Sequence, residues 1–122
     1  MFDRVEKEKN MFEVTNNIMD ANYTCLQGNI KAPPKLLREV LGEPLNGDGY
    51  KVTMEWILSD KDGNIATVYD WKATSDYGTT LPSAEELRES SSLHDFHIGA
   101  HDHDTASLLK AWLSDVISSY KK

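Results

Sequence analysis

The chain has 122 residues, of which 39% are hydrophobic and 27% are charged, a composition that fits one globular domain with a modest core. Its net charge of −7 would repel phosphates, which excludes general nucleic-acid binding and leaves a basic partner or plain solubility as the meaning of the acidic surface. No apolar run approaches the roughly 18 residues needed to cross a bilayer, so we expect no membrane partner.

The first twenty residues predict a helical N-terminal extension, residues 1–20, followed by a single α+β domain, residues 21–122. The extension carries apolar residues at roughly helical spacing, namely Val5, Met11, Phe12, Val14, Ile18 and Met19. It could pack on the core or on a second copy of the chain. Because its start, MFDRVEKEKN, is charged throughout, we expect no signal peptide.

The domain opens with a predicted strand and a short helix. Residues 23–31, YTCLQGNIK, are typical of a strand, in which the lone Cys25 is interpreted as a small buried residue in a reducing compartment. Gly28 indicates a bulge or a close backbone approach. Pro34 suits the first position of a helix, and Gly42 suits a left-handed helix end.

A β-hairpin follows. In residues 51–59, KVTMEWILS, apolar and polar side chains alternate, which places Trp56 on the core side and Ile57 on the other. Residues 60–64, DKDGN, supply a turn in which Gly63 can take a positive φ. The return strand is IATVYDWK, residues 65–72.

Three further elements are predicted beyond a polar loop. Residues 83–86 form a capping box for a short helix, and residues 94–100 form a strand with Phe96 and Ile98 on one face. From about Thr105 an apolar stripe predicts a C-terminal amphipathic helix. The order of elements predicts an α+β fold, with an antiparallel sheet of about four strands and helices packed on one face.

All four histidines fall within ten positions, at His94, His97, His101 and His103. On a strand, His94 and His97 point to opposite faces and cannot share a metal ion. Asp102 and Asp104 suit the start of a helix, where carboxylates accept unpaired N–H groups. We therefore expect neither a metal site nor a cofactor here. His97, on the side away from Phe96, is the best single candidate for contacting a ligand or partner.

The run LREVLGEPLNGDGYKVTMEWILSDKDGNIATVYDWK, followed by DFHIGAH, resembles small uncharacterised proteins encoded by tailed phages and large DNA viruses. The shared pattern is Glu-Trp, Asp-Gly, Ala-Thr-x-Tyr-Asx-Trp-Lys and aromatic-His-Ile-Gly, within residues 26 to 113. Ala100 departs from it, because a second glycine is usual there, and residues 1–20 are an addition. The resemblance implies a viral origin and action in the host cell cytoplasm, and it implies no activity.

The aromatic residues allow two interpretations, because Tyr69 and Trp71 are core residues if helices cover their face of the sheet and form a contact surface if that face is open. We expect a non-catalytic accessory protein that binds a host protein or a small ligand, for example to counter a host defence. The binding residues are predicted to be Tyr50, Tyr69, Trp71, Lys72, His97 and Gly99.

Two alternatives stay open. Asp70 and Lys72, with Glu55 on the facing strand, resemble the core of a Mg²⁺-dependent nuclease, in which the acids bind the metal ion and the lysine stabilises an attacking water. The upstream proline–aspartate pair of such nucleases is missing, and the net charge disfavours a DNA substrate. The other alternative is a structural or dimerisation component that self-associates through residues 1–20.

Overall fold

The computed structural model describes residues 12–17, 19, 24–47, 52–71 and 81–120. These residues form an α+β fold, as the sequence predicts. The elements, in chain order, are β1 (Phe12–Val14), β2 (Cys25–Ala32), α1 (Pro34–Leu41), β3 (Glu55–Asp60), β4 (Ile65–Tyr69), α2 (Ala84–Arg88), β5 (His94–Ala100) and α3 (His103–Tyr120).

The strands form one antiparallel sheet in the order β1-β3-β4-β5-β2, with five strands where about four are predicted. The predicted hairpin is confirmed as β3 and β4, paired from Glu55↔Tyr69 to Ser59↔Ile65. The bulge predicted at Gly28 is also confirmed, because the pairing of β2 with β5 shifts between Leu26 and Gly28.

Asp60 closes the hairpin turn. Its Oδ1 accepts the backbone N–H groups of Asp62 and Asn64, each at 2.9 Å, and Gly63 takes a φ of +85°. Partial burial raises the pKa of the Asp60 carboxyl, but the hydrogen bonds outweigh it and hold the pKa below its usual range. The turn thus draws its geometry from one carboxylate and one glycine.

The core lies between the helices and one face of the sheet. Trp56 is fully buried there, packs edge-on against Phe96 with ring centroids 6.1 Å apart, and donates its Nε1–H to the Gly42 carbonyl at 2.8 Å. The inward position predicted for Trp56 is confirmed. The other buried side chains of this layer include Leu37, Leu58, Val68, Leu87, Ile98, Leu109 and Leu113.

The helix ends follow their sequence signals. Gly42 ends α1 with a positive φ of +88°, which favours glycine, but its ψ of −174° lies outside the left-handed helical region predicted for it, and its N–H donates to the Arg38 carbonyl at 2.9 Å. Ser83 and Glu86 form the predicted capping box of α2. Asp102 precedes α3 and accepts the Thr105 N–H at 2.7 Å and the Thr105 hydroxyl at 3.0 Å, as a residue at a helix start should.

The helix predicted for residues 1–20 is wrong at Phe12–Val14, which form the edge strand β1. Phe12 is 4% exposed and packs on Trp112 with ring centroids 5.4 Å apart, so it belongs to the core. Pairing with β3 across more than forty residues of sequence decides the conformation, which local apolar spacing cannot reveal. Residues 1–11, 18 and 20 lie outside the described residues.

Cys25 and Ile57 differ from expectation in their burial. Cys25 is exposed at the start of β2, an edge strand, so its interpretation as a buried residue is wrong. Ile57 lies on the face away from the core helices, as predicted, yet it is fully buried. Its backbone N–H donates to Oδ1 of Asn16 at 2.9 Å, and its carbonyl accepts the Thr15 N–H at 2.8 Å.

Candidate functional site

Three predicted binding residues meet on the face of the sheet away from the core helices. Tyr69, the last residue of β4, pairs directly with His97 of β5. The His97 ring lies edge-on to Tyr69, with centroids 5.5 Å apart and planes at 79°. It also stacks on the indole of Trp71, with centroids 6.1 Å apart and planes at 22°. We refer to Tyr69, Trp71 and His97 as the aromatic cluster.

The aromatic cluster is only partly shielded from solvent. Tyr69 and His97 are half-buried, whereas Trp71 is 43% exposed. Leu26 of β2, which is 57% exposed, pairs with Gly99 two residues after His97 and so adds apolar surface to the same face. An exposed indole held on a rigid sheet is the kind of group that contributes most to protein interfaces, and an adjacent aliphatic side chain extends the apolar contact area.

Gly99 provides space beside the cluster. It pairs with Thr67, and a Cβ added to it would lie 2.6 Å from the Thr67 hydroxyl oxygen and 3.6 Å from Cε1 of Tyr69. Only glycine therefore fits at this position without displacing the Thr67 side chain. The structure places Gly99 as a buried neighbour that lets Thr67 and Tyr69 pack closely.

Asp70 is buried and holds the chain between the two aromatic residues. It is 1% exposed, and its carboxylate accepts the N–H groups of Thr53 and Met54 at 2.7 and 2.9 Å and the Thr53 hydroxyl at 2.5 Å. These bonds attach the end of β4 to the segment before β3, and so fix where Trp71 leaves the sheet. Sequence reasoning missed this role because its donors lie sixteen and seventeen residues away.

The two acids of the nuclease alternative do not converge. Glu55 pairs with Tyr69 and lies on its face of the sheet, whereas the Asp70 carboxylate is turned to the backbone of residues 53–54. Since a catalytic metal ion needs both carboxylates on one side, these two acids cannot share one in this arrangement. Lys72 lies outside the described residues.

The environment of Tyr69 favours its neutral form. Burial, and then the nearby Glu55 carboxylate, raise the pKa of the Tyr69 phenol above its usual value. The protonated hydroxyl can both donate and accept a hydrogen bond.

His94 and His103 contact serine hydroxyls. The Nε2 atom of His94 is 3.1 Å from the Ser90 hydroxyl, and that of His103 is 3.3 Å from the Ser107 hydroxyl. Among the residues that the structure describes, no three His, Cys, Asp or Glu side chains are grouped so as to hold a metal ion. Tyr50, the other predicted binding residue, lies outside that part of the chain.

No protein-family model matches this chain, and no curated protein matches it significantly. In the described residues, no helix has both the length and the apolar character needed to span a bilayer.

Proposed function

We propose that this protein acts by binding, without catalysis, and that the aromatic cluster is the contact surface. The observation that carries the proposal is the exposed indole of Trp71, held against His97 and fixed by the buried Asp70 next to it. An aromatic group that is already ordered loses little conformational entropy when a partner covers it, so such groups yield much binding free energy.

The partner is a host protein or a small ligand that presents an apolar or planar group to Trp71 and Leu26. The setting that fits the sequence resemblance is the cytoplasm of a host cell, where a viral accessory protein of this size acts against or through a host component. The net charge of −7 favours a partner with basic groups around the apolar contact.

The test compares Trp71→Ala with Leu108→Ala. Leu108 is 53% exposed on α3, which packs on the opposite face of the sheet, so its truncation removes similar exposed apolar area elsewhere. Tagged full chains are cross-linked in host lysate, and captured proteins and co-purified small molecules are identified by mass spectrometry. We expect a component that is retained by the unaltered chain and by Leu108→Ala and is lost with Trp71→Ala.

Two results would count against the proposal. If Trp71→Ala retains every component that Leu108→Ala retains, the cluster is not the contact surface. If the purified component binds the unaltered chain and the Trp71→Ala variant with equal Kd, its loss in lysate has another cause. Both variants should keep the unfolding midpoint of the unaltered chain within a few degrees, since both changes are at exposed positions.

A further inference from the structure

A second surface lies at the β1 edge of the sheet, which is the edge opposite β2. A groove of about 410 Å³ separates the edge strand β1, the end of α1 and the second half of α3. Phe12, Leu41, Trp112 and Val116 form its apolar floor. This volume is within the range of about 300–1,000 Å³ that is usual for ligand pockets.

The rim of the groove is acidic. Among the described residues that line it, Glu13 and Glu39, both exposed, are the two carboxylates, and none is a lysine or an arginine. In a protein whose net charge is already −7, this rim disfavours an acidic occupant and complements a basic one. The apolar floor with an acidic rim thus indicates an occupant that combines an apolar side chain with a positive charge.

The shape of the groove indicates an extended occupant. One of its walls is β1, which stands at the end of the strand order and pairs with β3 alone in the described part of the sheet. The edge of an antiparallel sheet can accept a further strand, which contributes backbone hydrogen bonds while alternate side chains enter a neighbouring pocket. Phe12 of β1 packs on Trp112, so side chains of an added strand on the Phe12 face of the sheet would point towards Trp112 and Val116.

We propose that this groove binds an extended segment of a partner protein in which an apolar residue is flanked by lysine or arginine. The segment pairs with β1, its apolar side chain covers Trp112 and Phe12, and its cations approach Glu13 and Glu39. This surface is separate from the aromatic cluster, so the partner can engage it whether or not the cluster is occupied.

The experiment uses the full chain and two peptides, acetyl-Lys-Val-Leu-Val-Lys-amide and acetyl-Glu-Val-Leu-Val-Glu-amide, with binding measured by calorimetry. We expect the lysine peptide to bind the unaltered chain about tenfold more tightly than the glutamate peptide does, and Glu13→Lys/Glu39→Lys to reverse that order. The matched control is Glu85→Lys/Asp95→Lys, which changes the net charge equally at two exposed positions on α2 and β5 that do not line the groove. It should keep most of the preference, as should Trp71→Ala.

Three outcomes would overturn the proposal. If the control pair abolishes the preference for the lysine peptide as fully as the groove pair does, that preference is an effect of net charge alone. Equal binding of a lysine peptide whose central backbone nitrogens are methylated would exclude pairing with β1. A dimer of the unaltered chain that becomes monomeric with Glu13→Lys/Glu39→Lys, as measured by light scattering, would assign the groove to a second copy of the chain.

Discussion

Among single residues, Asp70 has the largest predicted effect on stability. Asp70→Ala would leave two buried N–H groups and the Thr53 hydroxyl without their acceptor, so we expect a loss of about 3 kcal/mol in the free energy of unfolding. Asp70→Asn keeps one oxygen for the two N–H groups, and the Thr53 hydroxyl can accept from its amide. We expect it to lose less than half as much, measured by urea unfolding followed by tryptophan fluorescence.

The same pair of variants separates the structural role from catalysis. An acid that binds a catalytic metal ion loses its function as asparagine, whereas a hydrogen-bond acceptor largely keeps it. Cleavage of DNA by the unaltered chain in Mg²⁺, abolished by Asp70→Asn while the fold survives, would contradict the binding proposal and revive the nuclease alternative.

Gly99 allows a second prediction at a single residue. In Gly99→Ala the new methyl would lie 2.6 Å from the Thr67 hydroxyl oxygen, and Thr67 is 2% exposed, so it has little room to move. We expect a loss of about 1–3 kcal/mol in unfolding free energy and a changed near-ultraviolet circular dichroism signal from the neighbouring Tyr69.

Gly28→Ala is the matched control for Gly99→Ala. Gly28 lies in the same strand pair, and nothing is within 4 Å of a Cβ built there. We expect its stability to stay within about 0.5 kcal/mol of the unaltered chain. The double variant Gly99→Ala/Thr67→Ser should not recover stability if the hydroxyl makes the clash, whereas Gly99→Ala/Thr67→Ala should recover part of it. Equal losses in the two glycine variants would contradict the steric argument.

Among the secondary-structure elements, α3 begins with a cap, the Asp102 carboxylate, whose contribution to stability depends on pH. The N–H of Thr105, and then its hydroxyl, donate to Asp102 and lower the pKa of its carboxyl. The charged cap therefore stabilises the fold fully above the ordinary aspartate pKa, and this contribution is lost as the pH falls through the lowered pKa.

The corresponding prediction concerns acid unfolding. Between about pH 4 and pH 2 the unaltered chain should lose more stability than Asp102→Asn, because an asparagine cap does not titrate. At pH 7 we expect Asp102→Ala to be the least stable of the three. The measurement is thermal unfolding by circular dichroism at each pH. Identical acid profiles for the unaltered chain and Asp102→Asn would show that Asp102 does not contribute.

The elements also show what local sequence can predict. Local sequence predicts the hairpin, α1, α2 and the strand β5, because alternation, glycine turns and helix caps act over a few residues. The edge strand β1 was not, since it depends on pairing with β3, and Asn16, with a φ of +48°, ends it by hydrogen bonding to Ile57. Local sequence could not reveal either long-range contact.

The candidate site likewise has features that local sequence predicts and features that it does not. Alternation predicts that Tyr69 and Trp71 share a face and that His97 lies opposite Phe96 and Ile98, and the structure brings the three rings together as the predicted contact surface requires. The position of Trp71, however, depends on Asp70 reaching the segment before β3. A buried carboxylate with distant backbone donors has no local sequence signature, which is why the acid-x-Lys triplet suggested chemistry.

For the protein as a whole, charge and exposed apolar surface act against each other. At neutral pH the net charge of −7 repels other copies of the chain, although Trp71 and Leu26 expose apolar groups on one face. Near pH 5.0, the isoelectric point of the sequence, this repulsion vanishes while the apolar face remains. We therefore expect charge to oppose self-association of this face at neutral pH.

The last prediction follows from that balance. At low salt, light scattering should show particles of larger mean mass at pH 5 than at pH 7, and the double variant Trp71→Ser/Leu26→Ser, which leaves the net charge unchanged, should show a smaller increase. Leu108→Ser, on the helical side, is the matched control and should behave like the unaltered chain, because its apolar group lies outside the face on which the aromatic cluster sits. If both sets of variants associate as strongly as the unaltered chain at pH 5, loss of charge alone drives association. The exposed indole would then contribute nothing to contacts between copies. This result would also weaken the proposal that a partner covers the indole.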